Sequence, residues 1–83
     1  MVEVIEPEIY DLRGYQCPLP VLKTRSRLRC MAAGERVWVH TDDPLAGVDI
    51  PHFCNEFDQR LLSQESGEGD SLRFLIEKRG GSL

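Results

Sequence analysis

The chain has 83 residues, 41% of them hydrophobic and 29% charged, with a net charge of −4, which suits one domain near the lower size limit for a single-core fold. No apolar run approaches the ~20 residues that a bilayer-spanning helix needs, and Met1–Glu6 lacks the basic and apolar regions of a secretory signal, so a cytoplasmic protein with no membrane contact is expected. Arg13, Lys23, Arg25, Arg27, Arg29 and Arg36 make the first half basic on an otherwise acidic chain, a pattern that suits one localised anionic partner surface better than general nucleic-acid binding.

Residues 1–7 read as a flexible leader ending at Pro7. Glu8-Ile9-Tyr10-Asp11-Leu12 follows as a short strand, and Gly14 permits a turn after it. Pro18 and Pro20 are tolerated together only in a helix's first turn, where N–H groups lack intrahelical partners. The expected helix therefore starts at Pro18 with Cys17 at its N-cap and runs to about Ala33. Its apolar stripe is Val21, Leu28 and Met31, with Leu22 or Thr24 beside them, and Gly34 stops it. Arg36–Thr41 has strand composition, with Val37 and Val39 on one face and Trp38 and His40 on the other. Asp42-Asp43-Pro44 is a turn. A second helix is expected to begin near Asp49-Ile50-Pro51, with Pro51 in its first position and Asp49 as cap. Ile50, Phe53, Cys54, Phe57 and Leu61 form its apolar face.

Leu62–Glu65 is a short strand, Gly67-Glu68-Gly69-Asp70 a hairpin turn, and Ser71–Glu77 a strand with Leu72, Phe74 and Ile76 inward. The order βαβαββ predicts an α/β two-layer sandwich: a four-stranded mixed sheet with two helices on one face. Residues 8–78 are the single domain, and 79–83 a flexible tail.

The three cysteines, Cys17, Cys30 and Cys54, form no Cys-x-x-Cys pair, so the usual zinc and dithiol patterns are missing, and no metal or other cofactor is expected. Reduced thiols suit a cytoplasmic protein. Cys30 and Cys54 fall near apolar helix positions and read as packing residues. Cys17 differs, because a helix N-terminus offers free N–H donors and partial positive charge, both of which favour the nucleophilic thiolate. Gly14, Pro18 and Pro20 would shape that corner. Arg13, Lys23 and Arg27 would support the thiolate or dock a partner, against the plainer reading of a solvated helix face. Asp42 and Asp43 read as turn residues, His40 as structural and His52 as exposed. Gly80-Gly81 is similar to the tail of ubiquitin-like sulfur carriers, but Ser82-Leu83 follow it.

Five blocks in this order carry a resemblance: Asp11-Leu12-Arg13-Gly14, Cys17-Pro18-Leu19-Pro20-Val21, Gly34-Glu35, Asp42-Asp43-Pro44 and Asp49-Ile50-Pro51-x-Phe53-Cys54. Together they resemble the TusA/SirA family of small sulfur-carrier proteins, from the first strand to about Lys78-Arg79. The resemblance implies the βαβαββ fold and a Cys17 that carries sulfur as a persulfide. It also implies partners: a cysteine desulfurase or rhodanese-like donor, and a downstream acceptor protein, in some members on the way to tRNA thiolation. The chain is then a sulfurtransferase-like carrier, read as a monomer, that turns nothing over without partners. Two other readings stay open: a redox-regulatory thiol at Cys17, and a non-catalytic RNA- or protein-binding module. Acidic net charge and arginines without interleaved aromatics disfavour direct nucleic-acid binding.

Overall fold

The structure, a computed structural model, describes residues 7–80 and 83. The expected leader therefore lies outside the described residues except for Pro7, as do Gly81 and Ser82 of the expected tail. The elements are β1 (Glu8–Asp11), α1 (Leu19–Arg29), β2 (Arg36–Thr41), α2 (Ala46–Glu56), β3 (Arg60–Ser66) and β4 (Leu72–Glu77). The sheet order is β1-β2-β4-β3. β1 pairs parallel to β2, and β4 runs antiparallel to both β2 and β3. The predicted two-layer sandwich and mixed sheet are what the chain forms.

Alternation along the strands explains the layering. Val37 and Val39 of β2 and Phe74 and Ile76 of β4 are buried on the helix side. Leu28 of α1 and Ala46, Ile50, Phe53 and Cys54 of α2 close over them, with Leu12 at the end of β1. The α2 residues recur at the spacing of one helix face. On the α1 face the second member is Thr24, fully buried, whereas Leu22 is exposed. Trp38 and His40 point to the sheet's other face, which carries no helix among the described residues.

Several boundaries differ from expectation, each for a local reason. α1 ends at Arg29, short of Ala33, because the Cys30 and Met31 amides tighten onto the Arg27 and Leu28 carbonyls. Gly34 then takes φ +95° and donates its N–H to the Lys78 carbonyl oxygen at 2.7 Å. α2 starts at Ala46, before Asp49, because the amides of Ala46 and Gly47 bond back to the Asp43 and Pro44 carbonyls. Pro51 consequently lies inside the helix. The carbonyl it leaves without an N–H partner is that of Gly47, four residues earlier. β3 extends beyond Leu62–Glu65 to Arg60–Ser66, with an irregularity between Leu61 and Ser63. At the far end, Arg29 donates to the Leu83 carbonyl oxygen at 2.9 and 2.7 Å, and Leu83 packs against the core.

Candidate functional site around Cys17

β1 and β2 are adjacent and parallel, so the segments that follow them leave the sheet at the same edge. That edge, outside the carboxyl ends of parallel strands, is where α/β sheets commonly build sites. The Gly14–Pro18 loop follows β1, and Asp42-Asp43 follows β2. The two segments are stitched together. Gly14 (φ +95°) donates its N–H to Asp42 Oδ1 at 2.9 Å, and Cys17 donates its N–H to Asp43 Oδ2 at 2.6 Å. The other Asp43 oxygen accepts from the Leu45 amide at 3.1 Å. Buried Asp43 thus holds the cysteine loop and the start of α2 with one carboxylate.

Cys17 is exposed, and it lies one residue before the cap of α1. The expected N-cap position belongs to Pro18. The Leu19 amide bonds to the Gln16 carbonyl at 2.9 Å, which places Cys17 and Pro18 in the middle of a turn, and the helix ladder opens from the Pro18 carbonyl to the Leu22 amide. Pro20 is the second helical residue and is buried.

The electrostatics also depart from expectation. The thiol donates to Asp49 Oδ2 at 3.1 Å, and both Asp49 and Asp43 push its pKa up, the hydrogen bond to Asp49 most of all. The resting group is therefore a thiol held by a carboxylate, in place of the thiolate supported by cations. Asp42, Asp43 and Asp49 are the residues bonded to the cysteine loop that the turn and cap readings missed. The signal was present in the parallel βα pattern, which sends the Asp42-Asp43 turn to the same edge as Cys17.

The three basic candidates do not converge on the sulfur. Arg13 forms a two-point pair with the Asp11 carboxylate, Nε to Oδ1 at 2.9 Å and Nη2 to Oδ2 at 2.8 Å. Lys23 places its ammonium 4.5 Å from the Tyr15 ring centroid, two residues before Cys17 in sequence. Arg27, about one turn further along α1, pairs with Glu8 and lies over the Tyr10 ring.

The other two thiols separate clearly. Cys54 is buried, as expected, and burial pushes its pKa up to about 11. Cys30 is exposed, against the packing reading, because α1 has already ended at Arg29 and Cys30 forms its C-cap. It borders a cavity of about 690 Å³ at the opposite end of α1 from Cys17, with Arg27, Met31 and Arg36 also in the wall.

Apolar side chains are exposed on the segments that meet at Cys17. Tyr15, Leu19 and Leu22 are exposed on the loop and α1 side, and Leu45 (56%) and Val48 (69%) on the α2 side. Exposed apolar groups gathered at one place mark contact surfaces more often than isolated ones do. Among the described residues, no cluster of three or more His, Cys, Asp or Glu side chains has the arrangement to hold a metal ion. No helix among them is long and apolar enough to cross a membrane.

Comparison with known proteins agrees with this architecture. The crystal structure of a SirA-like protein from Desulfitobacterium hafniense superposes with a TM-score of 0.75 at 18% sequence identity, covering 88% of this chain and 99% of that one. At that identity the likeness establishes the fold. The sequence model described as sulfurtransferase TusA matches residues 8–78, which is nearly all of the described chain. With the fold and that match together, the chain belongs to the TusA family of sulfur-transfer proteins, whose members work with sulfur donor and acceptor proteins.

Proposed function

We propose that Cys17 accepts a sulfane sulfur from a protein donor, holds it as a persulfide and relays it to an acceptor protein. The observation that carries this reading is an exposed cysteine with no thiol partner within reach. Cys54 is buried, and Cys30 caps the far end of α1, an 11-residue helix that separates them by about 16 Å at 1.5 Å per residue. A dithiol would discharge a persulfide internally, whereas a solitary cysteine keeps it for delivery. The same separation disfavours a redox role that depends on an internal disulfide.

The step balances as follows. The Cys17 sulfur forms a bond to the terminal sulfur of a donor persulfide, the donor's S–S bond breaks, and the thiol proton passes to the departing donor thiolate. Cys17 then carries S–S–H and the donor is left as a thiol. Delivery is the same exchange, with the acceptor's thiolate attacking the terminal sulfur. Gly14, Pro18 and Pro20 shape the loop that presents the thiol. The exposed ring of Tyr15, Leu19, Leu22, Leu45 and Val48 is the contact surface for donor and acceptor, with Lys23 at its border. A cysteine desulfurase or a rhodanese-like protein is the donor class, and a cytoplasmic relay toward tRNA thiolation is one destination.

The test is intact mass spectrometry after incubation with a cysteine desulfurase and free cysteine. A gain of one sulfur, removed by reductant, is expected in the native chain and in Cys30→Ser, and is expected to vanish in Cys17→Ser. A gain that survives Cys17→Ser would place the carrier sulfur elsewhere.

A further inference from the structure

Two features beside Cys17 are not explained by the need for a reactive thiol. One is the carboxylate that accepts the thiol hydrogen at 3.1 Å; the other is the second carboxylate that holds the cysteine's own amide at 2.6 Å. A carrier that relied on a standing thiolate would put cations there. The basic side chains closest in sequence have other engagements: Arg13 lies on Asp11, and Lys23 lies over Tyr15. Asp42, the third carboxylate of the loop pair, accepts from Gly14. The sulfur therefore sits in a negative local field with an apolar rim.

We propose that Asp49 is a specificity-determining residue for transfer at Cys17: its carboxylate, one hydrogen bond from the sulfur, selects donors that present positive charge next to their reactive sulfur. This rests on the reading of Cys17 as the sulfur-accepting residue and adds to it the chemistry of the partner. A cationic donor group, a lysine or arginine side chain beside the donor's sulfur, engages Asp49 as it arrives. That contact draws the carboxylate away from the thiol hydrogen and offsets the negative field of Asp43 and Asp49. The thiol then ionises more readily at the moment of contact. In the free protein the same carboxylate keeps the sulfur protonated and slow toward neutral oxidants and electrophiles, consistent with the upward shift of its pKa. An anionic donor meets repulsion from the same two carboxylates. Asp49 is well placed for this because it is only half-buried and its bond to the sulfur is side chain to side chain, so it can exchange partners without moving α2. Asp43 is not: it is buried and bonded to two backbone amides.

The test uses small disulfides that differ in charge, so that no particular donor protein need be in hand. The full chain carrying Cys30→Ser is reacted with cystamine (cationic), 2-hydroxyethyl disulfide (neutral) and dithiodiglycolate (anionic). In each reaction the Cys17 thiol attacks one sulfur of the reagent, the reagent's S–S bond breaks, and the proton leaves with the released thiol. Each rate is divided by that of the same reagent with N-acetylcysteine amide, which removes differences between leaving groups. The expected order is cystamine, then neutral, then anionic, with steps of about three- to tenfold, the size of one charge interaction at a solvated contact. High salt is expected to compress the order. Asp49→Asn, which leaves Asp43 in place, is expected to narrow the spread and to speed iodoacetamide alkylation at neutral pH, moving the pH–rate midpoint down. Asp49→Glu, which keeps the charge, is expected to keep the spread. Equal normalised rates in the native chain, or a spread unchanged in Asp49→Asn, would overturn the proposal. Persulfide loading by a desulfurase, measured in parallel by mass, separates this from the carrier reading. Loading without charge selectivity removes the role of Asp49 alone, and absence of loading removes the role of Cys17 as carrier.

Discussion

Cys17 and Cys54 are both kept protonated, but by different means. For Cys17 it is first of all the hydrogen bond to the Asp49 carboxylate, and for Cys54 it is the loss of water alone. Burial raises the Cys54 thiol from 9.0 to about 11. In the unfolded chain this thiol ionises first, near its ordinary value, so its contribution to stability is whole below pH 9 and declines as pH rises from 9 toward 11. Labelling of Cys54 by an aromatic disulfide at pH 8 is therefore expected to follow global unfolding. Labelling as fast as that of Cys30 would show that α2 opens locally. His40 works at the other end of the scale. Burial, and then Arg73 on the paired strand and Arg13, hold its pKa below 6.5, with Asp11 opposing. The unfolded imidazole takes up its proton at higher pH than the folded one. Stability is thus expected to be whole above about pH 6.5 and to fall as pH drops from there through the lower folded value. Thermal melts between pH 5 and 7.5 check this: His40→Gln should flatten the slope over that range, and an unchanged slope would assign it to other groups. Asp11 is separable, because its carboxyl is held well below the usual range by Arg13 and changes charge only in stronger acid.

At the scale of elements, α1 carries the clearest local conflict. Thr24 is 1% exposed, and its hydroxyl oxygen has no hydrogen-bond partner among the described residues. A buried hydroxyl without a partner costs about 1–3 kcal/mol by protein mutational measures. Thr24→Val keeps the shape and removes that hydroxyl, so it is expected to raise stability by roughly 1 kcal/mol. A denaturant midpoint that falls would mean that the hydroxyl is satisfied in solution. The same residue shows what could and could not be read beforehand. Strand alternation in Arg36–Thr41 and Ser71–Glu77 and the face of α2 were legible, because a period of two or of 3.6 leaves a direct trace in the sequence. The α1 face was less so, since a threonine fills an inward position while Leu19 and Leu22 face out, and hydrophobicity alone assigns those the other way. The start of α2 was hidden for a related reason. Pro51 marks a helix start only where local rules decide, and here the Asp43 carboxylate, bonded across to Cys17, sets the boundary five residues earlier than that proline suggests. At the site itself, Cys17 stood out through its prolines. The electrostatic surroundings did not, because they depend on which side chains a neighbouring strand delivers.

Across the whole molecule, the faces differ in chemistry. The helix layer and the strand ends present Cys17 with its apolar rim. The opposite end of α1 holds Cys30 and its cavity. The bare side of the sheet carries an apolar row, Ile9, Trp38 and Leu75, in register across three strands. That row is flanked by the ion pairs of Arg36 with Glu77 and of Arg73 with Glu65. Trp38 is the chain's one tryptophan, and its place on that bare side gives the protein a built-in optical reporter that looks away from the thiol. Its emission is expected to stay constant when Cys17 is alkylated or loaded with sulfur, and to shift when the sheet melts. A change in tryptophan fluorescence on loading would show that events at the strand ends are felt through the sheet. With a tryptophan-free donor, a mixture that transfers sulfur while the emission stays silent would mean contact through the helix layer alone, leaving the reverse of the sheet open to a second protein at the same time.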